Sequence, residues 1–242
     1  MMGAMIQIDA SVSPLNRDDM FRGVKDALPV VVAFVPFALL LGNQAGQKGL
    51  TAGEVPLLTG LNFGGGSEFA ALAIWTDPPH ALLILCVTLL VNSRHFLMGA
   101  AFAPYLQAFS RRQVLPWLFF MCDESWAMTL AEARRQRRNL LSPGYYLGVA
   151  LPLYTVWVSF TLIGALTGHL IKDPTRYALD MAFPAVFLVL LRGMWKGPRM
   201  ALPWLMSLGV AVMTYLLIPG AWYVPAGSLS GIVAAWLMVS AR

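Results

Sequence analysis

A glutamate inside an apolar segment is the first residue of this sequence that could do chemistry. Glu68 lies in the stretch GLNFGGGSEFAALAIW, residues 60–75, shortly after Gly64, Gly65 and Gly66. Each glycine costs a helix about 1 kcal/mol relative to alanine. In hydrocarbon, backbone groups that leave a helix must find partners in protein or water. The three glycines therefore predict a helix break that faces the protein interior.

The residues after the break predict a ligand site. Ser67 is expected to cap a second short helix over residues 68–75, because serine is a favoured N-cap residue. The amides and positive dipole at this N-terminus suit a carboxylate ligand. Glu68 would hold an ammonium group or carry a proton. The alternatives are that the glycines only let two helices approach closely, and that Glu68 is a structural partner for Arg94.

A second polar group lies in LLVNSRHFLMGAAFAPY, residues 89–105. On one continuous helix Arg94 points away from a shared face, whose members would be Asn92, His95, Gly99 and Phe102. Ionisable residues inside the membrane are energetically unfavourable, and as a rule they are present because they serve a function. Alternatively, Arg94 and His95 mark the interfacial end of a span that stops near residue 92, since arginine can snorkel to the headgroups.

A pair of acids, Asp123 and Glu124, forms the third polar group, in FFMCDESWAM at residues 119–128. Adjacent carboxyl groups between apolar neighbours would serve as a proton relay or as counter-ions to Arg94. They would equally fit a helix end at the water boundary. With Glu68, they are the candidates for proton coupling.

The composition requires a membrane to hold these groups. Of 242 residues, 58% are hydrophobic and 12% are charged, about half the charged fraction of a soluble domain. Apolar stretches long enough to cross hydrocarbon recur throughout. We predict an all-α polytopic membrane protein, residues 1–242 forming one transmembrane domain after a polar tail over 1–20. The excess of Lys and Arg indicates cytoplasmic loops rather than nucleic-acid binding.

Metal, cofactor and enzyme chemistry have no motif in the sequence. Cys86 and Cys122 lie in apolar surroundings and are expected to be buried thiols. No CxxC pair, HExxH motif or Cys/His cluster is present, so we expect no metal and no cofactor. A catalytic pairing of Ser67 with His95 lacks a GxSxG elbow. The chain is not expected to be an enzyme.

Roughly six to eight hydrophobic segments are predicted, some of them broken or re-entrant: 26–47, 54–75, 79–106, 114–133, 144–171, 177–192, 200–218 and 225–241. If all crossed fully, Arg112 and Arg134 would face opposite sides, although the positive-inside rule favours one side for both. A re-entrant 54–75 places both inside only if 114–133 also fails to cross. A faint repeat relates 26–106 to 144–225, with interruptions at the glycines and at Pro184.

These patches together resemble one family. The stretches LPVVVAFVPFALLLGNQAG, NFGGGSEFAALAIW, VNSRHFLMGAAFAP and CDESWAM are similar to signatures of AzlC-like branched-chain amino acid exporters. The resemblance runs from about residue 22 to the C-terminus and is strongest over 58–126. Two positions depart from the family pattern: Glu68 stands where glutamine is usual, and Ala38 where glycine is common.

The resemblance implies a multi-pass permease of the bacterial inner membrane that expels valine, isoleucine, leucine and sometimes methionine. It also implies a small AzlD-like partner subunit of about four helices. Glu68 adds an acid to the expected site, and such an acid would affect both the choice of substrate and the coupling ion. The family's substrate specificity is therefore not assigned to this chain from the resemblance alone.

Together, residues and resemblance predict a proton-driven exporter of branched-chain or other neutral amino acids. Apart from lipid and the small subunit, the only expected partner is the amino acid. Phe63, Phe69, Phe96 and Met98 are candidates for its apolar pocket. The residues expected to bind substrate are Gly64, Gly65, Gly66, Ser67, Glu68, Phe69, Asn92, Arg94 and His95. The alternative functions are a passive channel for small solutes and a non-transporting membrane scaffold.

Overall fold

The described part of the chain is entirely helical in its regular structure. The computed structural model describes residues 15–136, 140–167, 188, 192, 195, 197–218 and 222–240. Ten α-helices lie in these ranges: α1 Arg17–Gln47, α2 Glu54–Asn62, α3 Gly66–Ala73, α4 Ala81–Asn92, α5 Arg94–Leu106, α6 Arg111–Phe119, α7 Asp123–Arg135, α8 Pro143–Thr167, α9 Pro198–Leu217 and α10 Tyr223–Ser240. The predicted all-α polytopic membrane class is confirmed.

Three helical stretches among the described residues are long and apolar enough to cross a bilayer. They are α1 with 31 residues, α8 with 25, and Ala81–Leu106 with 26, in which α4 and α5 follow one another across Ser93. At 1.5 Å per residue, 25 residues reach about 38 Å, which exceeds the roughly 30 Å hydrocarbon core. The apolar segments Ala201–Leu217 and Ala226–Met238 are shorter.

Two of the predicted spans are broken in the structure. The segment predicted over 54–75 forms α2 and α3, separated by residues 63–65. The prediction of one span over 114–133 is wrong, because α6 ends at Phe119 and α7 begins at Asp123. Helices of 8 to 13 residues extend only about 12–20 Å, too short to cross. The predicted span 177–192 lies outside the described residues except for residues 188 and 192.

Helix α1 starts earlier than the sequence predicted. Asn16 caps it, since its side-chain oxygen accepts a 3.0 Å hydrogen bond from the amide of Asp18. Residues 17–20 therefore belong to the helix and not to the polar tail.

Helices α1 and α8 form the centre of the fold and run parallel. Gly23 of α1 contacts Gly148 near the start of α8, and Gly42 contacts Thr161 near its end. A Cβ added at Gly42 or Gly148 would collide with backbone atoms of the facing helix. Small residues thus allow close backbone contact, as is common between helices in membranes.

Most basic residues of the described chain lie at the end of the protein where α1 and α8 begin. Ser142 donates a 2.6 Å hydrogen bond to Asp19, and Arg22 lies 3.2 Å from Glu132 of α7. The Leu141 amide donates to the carbonyl of Tyr105, which places the end of α5 there too. The basic residues at this end of the described chain are Arg17, Arg22, Lys25, Arg111, Arg112, Arg134 and Arg135. The positive-inside rule predicts that this basic end faces the cytoplasm.

Two broken helical hairpins enter from opposite ends. Hairpin α2–α3 starts near the end of α1; α2 packs along α8 through Thr59 and Thr161, whose hydroxyls are 3.1 Å apart. It returns to the same end, where Lys48 bonds the Trp75 carbonyl at 3.4 Å. Hairpin α6–α7 starts four residues after α5 and ends at Arg135, so it enters from the basic end.

The tips of the two hairpins meet beside Tyr154 of α8. The Tyr154 ring lies 5.1 Å from the ring of Phe63 and 5.0 Å from the ring of Phe120, centroid to centroid. Because both hairpins turn back, Arg112 and Arg134 lie at the same end. This arrangement resolves the conflict in the sequence-based topology.

The remaining described helices, α9 and α10, pack antiparallel against each other. Gly227 faces Ala211, and Gly231 faces Ser207. They correspond to the predicted segments 200–218 and 225–241. Pro184 lies outside the described residues, so the internal repeat stays a prediction.

The prediction for the two cysteines is half wrong. Cys122 is buried, but Cys86 is exposed on α4. The long apolar segment around Cys86 faces outward from the protein. Its residues are apolar because they contact lipid and not because they are buried in the protein.

Candidate substrate cavity

Three chain breaks converge on one cavity of about 50 Å³. The breaks precede α3, α5 and α7, so three helix N-termini meet there. The cavity is lined by Phe34, Phe37, Phe63, Gly64, Gly65, Gly66, Arg94, His95, Cys122, Asp123, Glu124 and Trp157. This volume is below the roughly 300–1,000 Å³ typical of small-molecule sites, so an amino acid would require the walls to move apart.

The glycine break forms as predicted, but its cap differs. Phe63 has φ 42° and closes α2, and Gly65 has φ 54° and is the N-cap of α3. The prediction that Ser67 caps this helix is wrong, because the helix already begins at Gly66. Ser67 is buried, and its hydroxyl accepts a 2.8 Å hydrogen bond from Asn62.

Arg94 ties the three breaks together. Its Nη1 forms a 2.8 Å ion pair with Asp123 Oδ2, and its Nη2 donates a 2.7 Å hydrogen bond to the carbonyl of Gly64. Arg94 points away from the face shared by Asn92, His95 and Gly99, as predicted: it lines this cavity and not the neighbouring groove that those three residues line. Of the expected structural pairings, Arg94 takes Asp123 and not Glu68.

Glu68 lies behind the cavity wall rather than on it. Its side chain is fully buried, with 0% of its surface exposed. Oε2 accepts a 2.8 Å hydrogen bond from Trp157 Nε1, and Oε1 accepts a 3.0 Å bond from the Gly64 amide. No Lys or Arg of the described chain lies within ion-pairing distance of this carboxyl group. Gly64 therefore connects Glu68, through its N–H, to Arg94, through its carbonyl.

The other residues of the second polar group stay on one face except for Phe102. His95 lines the cavity, while the Asn92 side chain donates a 2.7 Å hydrogen bond to Asn62 outside it. Phe102 is buried in a separate apolar cluster, and Gly99 lines a neighbouring groove. Asn92 and His95 also line that groove, so three of the four residues predicted to share a face do share one, and the backbone of Ser93 between them stays in the α-helical region, with φ −55° and ψ −24°.

The predicted apolar lining is correct in place for one residue of four. Phe63 lines the cavity. Phe69 packs behind the wall, 4.8 Å from the ring of Phe37. Phe96 is 82% exposed, and Met98 belongs to the same cluster as Phe102. Neither Phe96 nor Met98 touches the cavity.

Sequence reasoning missed the aromatic wall. Phe34 and Phe37 of α1 and Trp157 of α8 line the cavity, and the Trp157 ring lies 5.6 Å from each of the two phenylalanine rings. Each residue stands in an uninterrupted apolar span. An aromatic residue there is indistinguishable by pattern from one that faces lipid, and only the close packing of α1 on α8 brings the three together.

The wall therefore presents three kinds of group. Helix N-termini and Arg94 supply positive potential, Asp123 and Glu124 supply carboxylates, and the aromatic rings supply an apolar surface. Among the described residues, no group of His, Cys, Asp and Glu is arranged to hold a metal ion.

Comparisons with known proteins agree with this architecture. The family model described as AzlC protein matches residues 29–171. An uncharacterized membrane protein of Archaeoglobus fulgidus is 30% identical over 193 residues, covering 76% of this chain and 80% of that protein. The branched-chain amino acid transport protein AzlC of Bacillus subtilis is 24% identical over 209 residues, or 85% of this chain and 81% of the relative.

The inner membrane protein YgaZ of Escherichia coli is 26% identical over 171 residues, covering 69% of each chain. No solved structure matches the chain. The family match covers more than half of the sequence and includes all three chain breaks. With its long apolar helices, the prediction of a multi-pass inner-membrane protein is confirmed. The chain belongs to the AzlC protein family.

Proposed function

We propose that this protein is a secondary transporter that exports branched-chain or other neutral amino acids across the inner membrane, driven by protons. The observation that carries the proposal is the cavity at the three chain breaks. It combines positive, negative and apolar walls within one small site, and a zwitterion with an apolar side chain requires all three.

The substrate carboxylate fits beside the glycine break. The first N–H groups of any α-helix lack an acceptor within that helix, and here they belong to Gly66 and Ser67, because the amides of Glu68 and Phe69 donate to the Gly65 carbonyl. Gly65 and Gly66 line the cavity, and a Cβ on Gly66 would lie 4.0 Å from an Arg94 nitrogen. Backbone amides, a helix dipole and a guanidinium group therefore converge on one position.

The ammonium group fits beside the acids at the start of α7. Asp123 is paired with Arg94 at 2.8 Å. Glu124 also lines the cavity, and no described Lys or Arg forms an ion pair with it. We therefore transfer the ammonium-binding role from Glu68, which does not reach the cavity, to Glu124.

The aromatic wall would select the side chain. Phe34, Phe37, Phe63 and Trp157 form a surface with no charged group of its own, suited to valine, leucine or isoleucine. One methylene more or less in such a pocket is worth about 1–3 kcal/mol. Discrimination among these amino acids is therefore expected to be modest, and exclusion of charged side chains strong.

Proton coupling is assigned to Glu68, with Asp123 and Glu124 as further candidates. An acid buried at membrane depth is costly, and such residues commonly belong to proton pathways. Protonation of Glu68 would weaken its bond from the Gly64 amide, and the Gly64 carbonyl is held by Arg94 at 2.7 Å. The charge on Glu68 can thus alter the substrate site through one residue.

A small AzlD-like membrane subunit is part of the proposal, and it rests on the family resemblance. Large apolar side chains are exposed along α9 and α10, for example Leu205, Leu216 and Trp236. Such surfaces face lipid or another membrane helix, so the described fold leaves room for a subunit.

The experiment is an efflux assay in cells that lack their own exporters. Cells are loaded with dipeptides containing valine, leucine, isoleucine or methionine, with this chain expressed alone or with its small partner. Faster appearance of one of these amino acids outside, relative to empty-vector cells, supports the proposal. Equal rates with the protein verified in the membrane contradict it and favour a scaffold. Export that stops when the two sides are equal indicates a channel.

A further inference from the structure

A second, larger concavity adjoins the substrate cavity. It is a groove of about 1,020 Å³ between α5 and α6. Its inner end is formed by Asn62, Asn92 and His95, and its outer end by Gln107 and Arg111. The outer end lies where α5 ends and α6 begins, next to the basic end of the protein.

We propose that this groove is the path by which substrate reaches the cavity from the cytoplasm, with His95 as the residue that separates the two. The inference rests on the proposed function. His95 lines both the cavity and the groove, so one imidazole stands between them. Its Nδ1 lies 3.1 Å from the Asn92 carbonyl, which fixes the ring at the break between α4 and α5.

The inner end of the groove offers polar contacts to an amino acid. Asn92 uses its Nδ2 to bond Asn62, while its Oδ1 is buried and accepts no hydrogen bond from the described residues. A buried acceptor without a hydrogen bond is unfavourable, because it has lost its contacts with water. A substrate ammonium group arriving at this end would donate to it and remove the cost.

The outer end and the walls have complementary chemistry. Arg111 provides a positive charge at the mouth, which attracts the substrate carboxylate. The walls between the two ends are apolar and include Leu106, Val114 and Leu118. A neutral amino acid can therefore pass with its charged groups at the polar ends of the groove and its side chain against the apolar walls. A lipid chain would match the apolar walls but not the polar ends.

Gly99 offers a direct test of whether the groove contains water. It lines the groove, and a Cβ added there meets no atom within 4 Å, so Gly99→Cys introduces a thiol without a clash. Ala100→Cys is the matched control, since Ala100 is exposed at the adjacent position and does not line the groove. Both are made with Cys86→Ser, because Cys86 is exposed.

The reagent is a charged, membrane-impermeant methanethiosulfonate applied to inside-out vesicles. The cysteine thiolate, which forms in water and not in lipid, attacks the reagent's sulfur and displaces methanesulfinate, leaving a mixed disulfide. Gly99→Cys is therefore expected to react at least about tenfold faster than Ala100→Cys. Valine or leucine should slow the reaction at Gly99, and the modified protein should lose transport. Ala103→Cys, also in the groove, replaces Gly99→Cys if that variant fails to insert.

Two results would overturn the inference. One is equal, slow modification at positions 99 and 100, which would show a groove filled by lipid or protein. The other is rapid modification at position 99 with undiminished transport. Labelling is independent of transport, so a chain that exports no amino acid before modification counts against the proposed function, whereas unreactive thiols in an active transporter count against the groove alone.

Discussion

Arg94 and Asp123, which are 29 positions apart in the sequence, form a 2.8 Å ion pair across the tips of two helices that start at the cavity. The same guanidinium bonds the Gly64 carbonyl at 2.7 Å. One side chain thus holds the two re-entrant hairpins and the broken span in a fixed relation. An alternating-access transporter would have to loosen these contacts to open the site to one side.

Replacing Arg94 should therefore reduce transport more than it reduces stability. The pair is about one-third exposed on each side, so its contribution to folding is small, near the 0–1 kcal/mol typical of accessible pairs. Its charged hydrogen bond to Gly64, and the one that we propose to substrate, are each worth about 1.5–3 kcal/mol. Arg94→Ala should lower the initial efflux rate at least about tenfold, at matched protein levels in the membrane.

The matched control is Arg94→Lys. Lysine has one point charge and lacks the planar fork that reaches Asp123 and Gly64 at once, so we expect a partial loss. In a double-mutant cycle, Asp123→Ala combined with Arg94→Ala should be less harmful than the sum of the two. Additive effects would mean that the ion pair has no role in transport.

The glycine break should tolerate alanine at Gly66 but not at Gly64 or Gly65. Gly65 has φ 54°, where a non-glycine residue is strained by about 1–3 kcal/mol. A Cβ on Gly64 would collide with the Ser67 hydroxyl, whereas on Gly66 its nearest contact is 3.9 Å away. Gly64→Ala and Gly65→Ala should lose efflux activity while Gly66→Ala keeps it. Comparable activity for all three would contradict the geometry.

Glu68→Gln tests proton coupling with the least change in shape. The amide keeps an acceptor for the Gly64 N–H but cannot gain or lose a proton, so efflux should persist and its dependence on pH should weaken. Residues that contact Glu68 among those described are Asn62, Gly64 and Trp157, none of which titrates in the relevant range. Unchanged pH dependence would remove Glu68 from the mechanism. Trp157→Phe, which removes a donor but no proton site, is the control.

Contact between α1 and α8 should decide whether the protein folds. A larger side chain at Gly42 or Gly148 meets backbone atoms of the facing helix, and overpacking costs about 1–3 kcal/mol or more. Gly148→Val should lower the amount of folded protein and its melting temperature in detergent. Gly209→Ala, where an added Cβ meets no atom within 4 Å, should be neutral or slightly stabilising. Equal stability of both variants would contradict the packing.

The sequence predicted the helices and the polar positions better than their arrangement. Hydropathy located every described span, because crossing a bilayer requires a long apolar run. It also treated 114–133 as one span, since residues 120–122 carry neither glycine nor proline. That break is stabilised by contacts made elsewhere in the chain, including the Phe120–Tyr154 ring contact, and a local pattern contains no trace of them.

The site residues that the sequence could predict are those that are energetically unfavourable in a membrane helix. The common apolar residues of the site could not be predicted. The glycines, Arg94, His95, Asp123 and Glu124 stand out because each is unfavourable in hydrocarbon, and all line the cavity. Phe34 and Trp157 are favourable there and gave no signal. Glu68 was predicted for the same reason as Arg94, because a charged group is unfavourable in hydrocarbon. It is buried behind Gly64, so it contacts the cavity wall but does not form part of it.

The central claim is active export through the cavity, and one measurement tests it most directly. The purified chain, with its small partner, is reconstituted in vesicles, and labelled leucine is followed under an imposed proton gradient. The account predicts leucine accumulation above the external concentration, its collapse when a protonophore is added, and no accumulation by Arg94→Ala. Leucine that only equilibrates, or that accumulates regardless of the gradient or of Arg94, would contradict it.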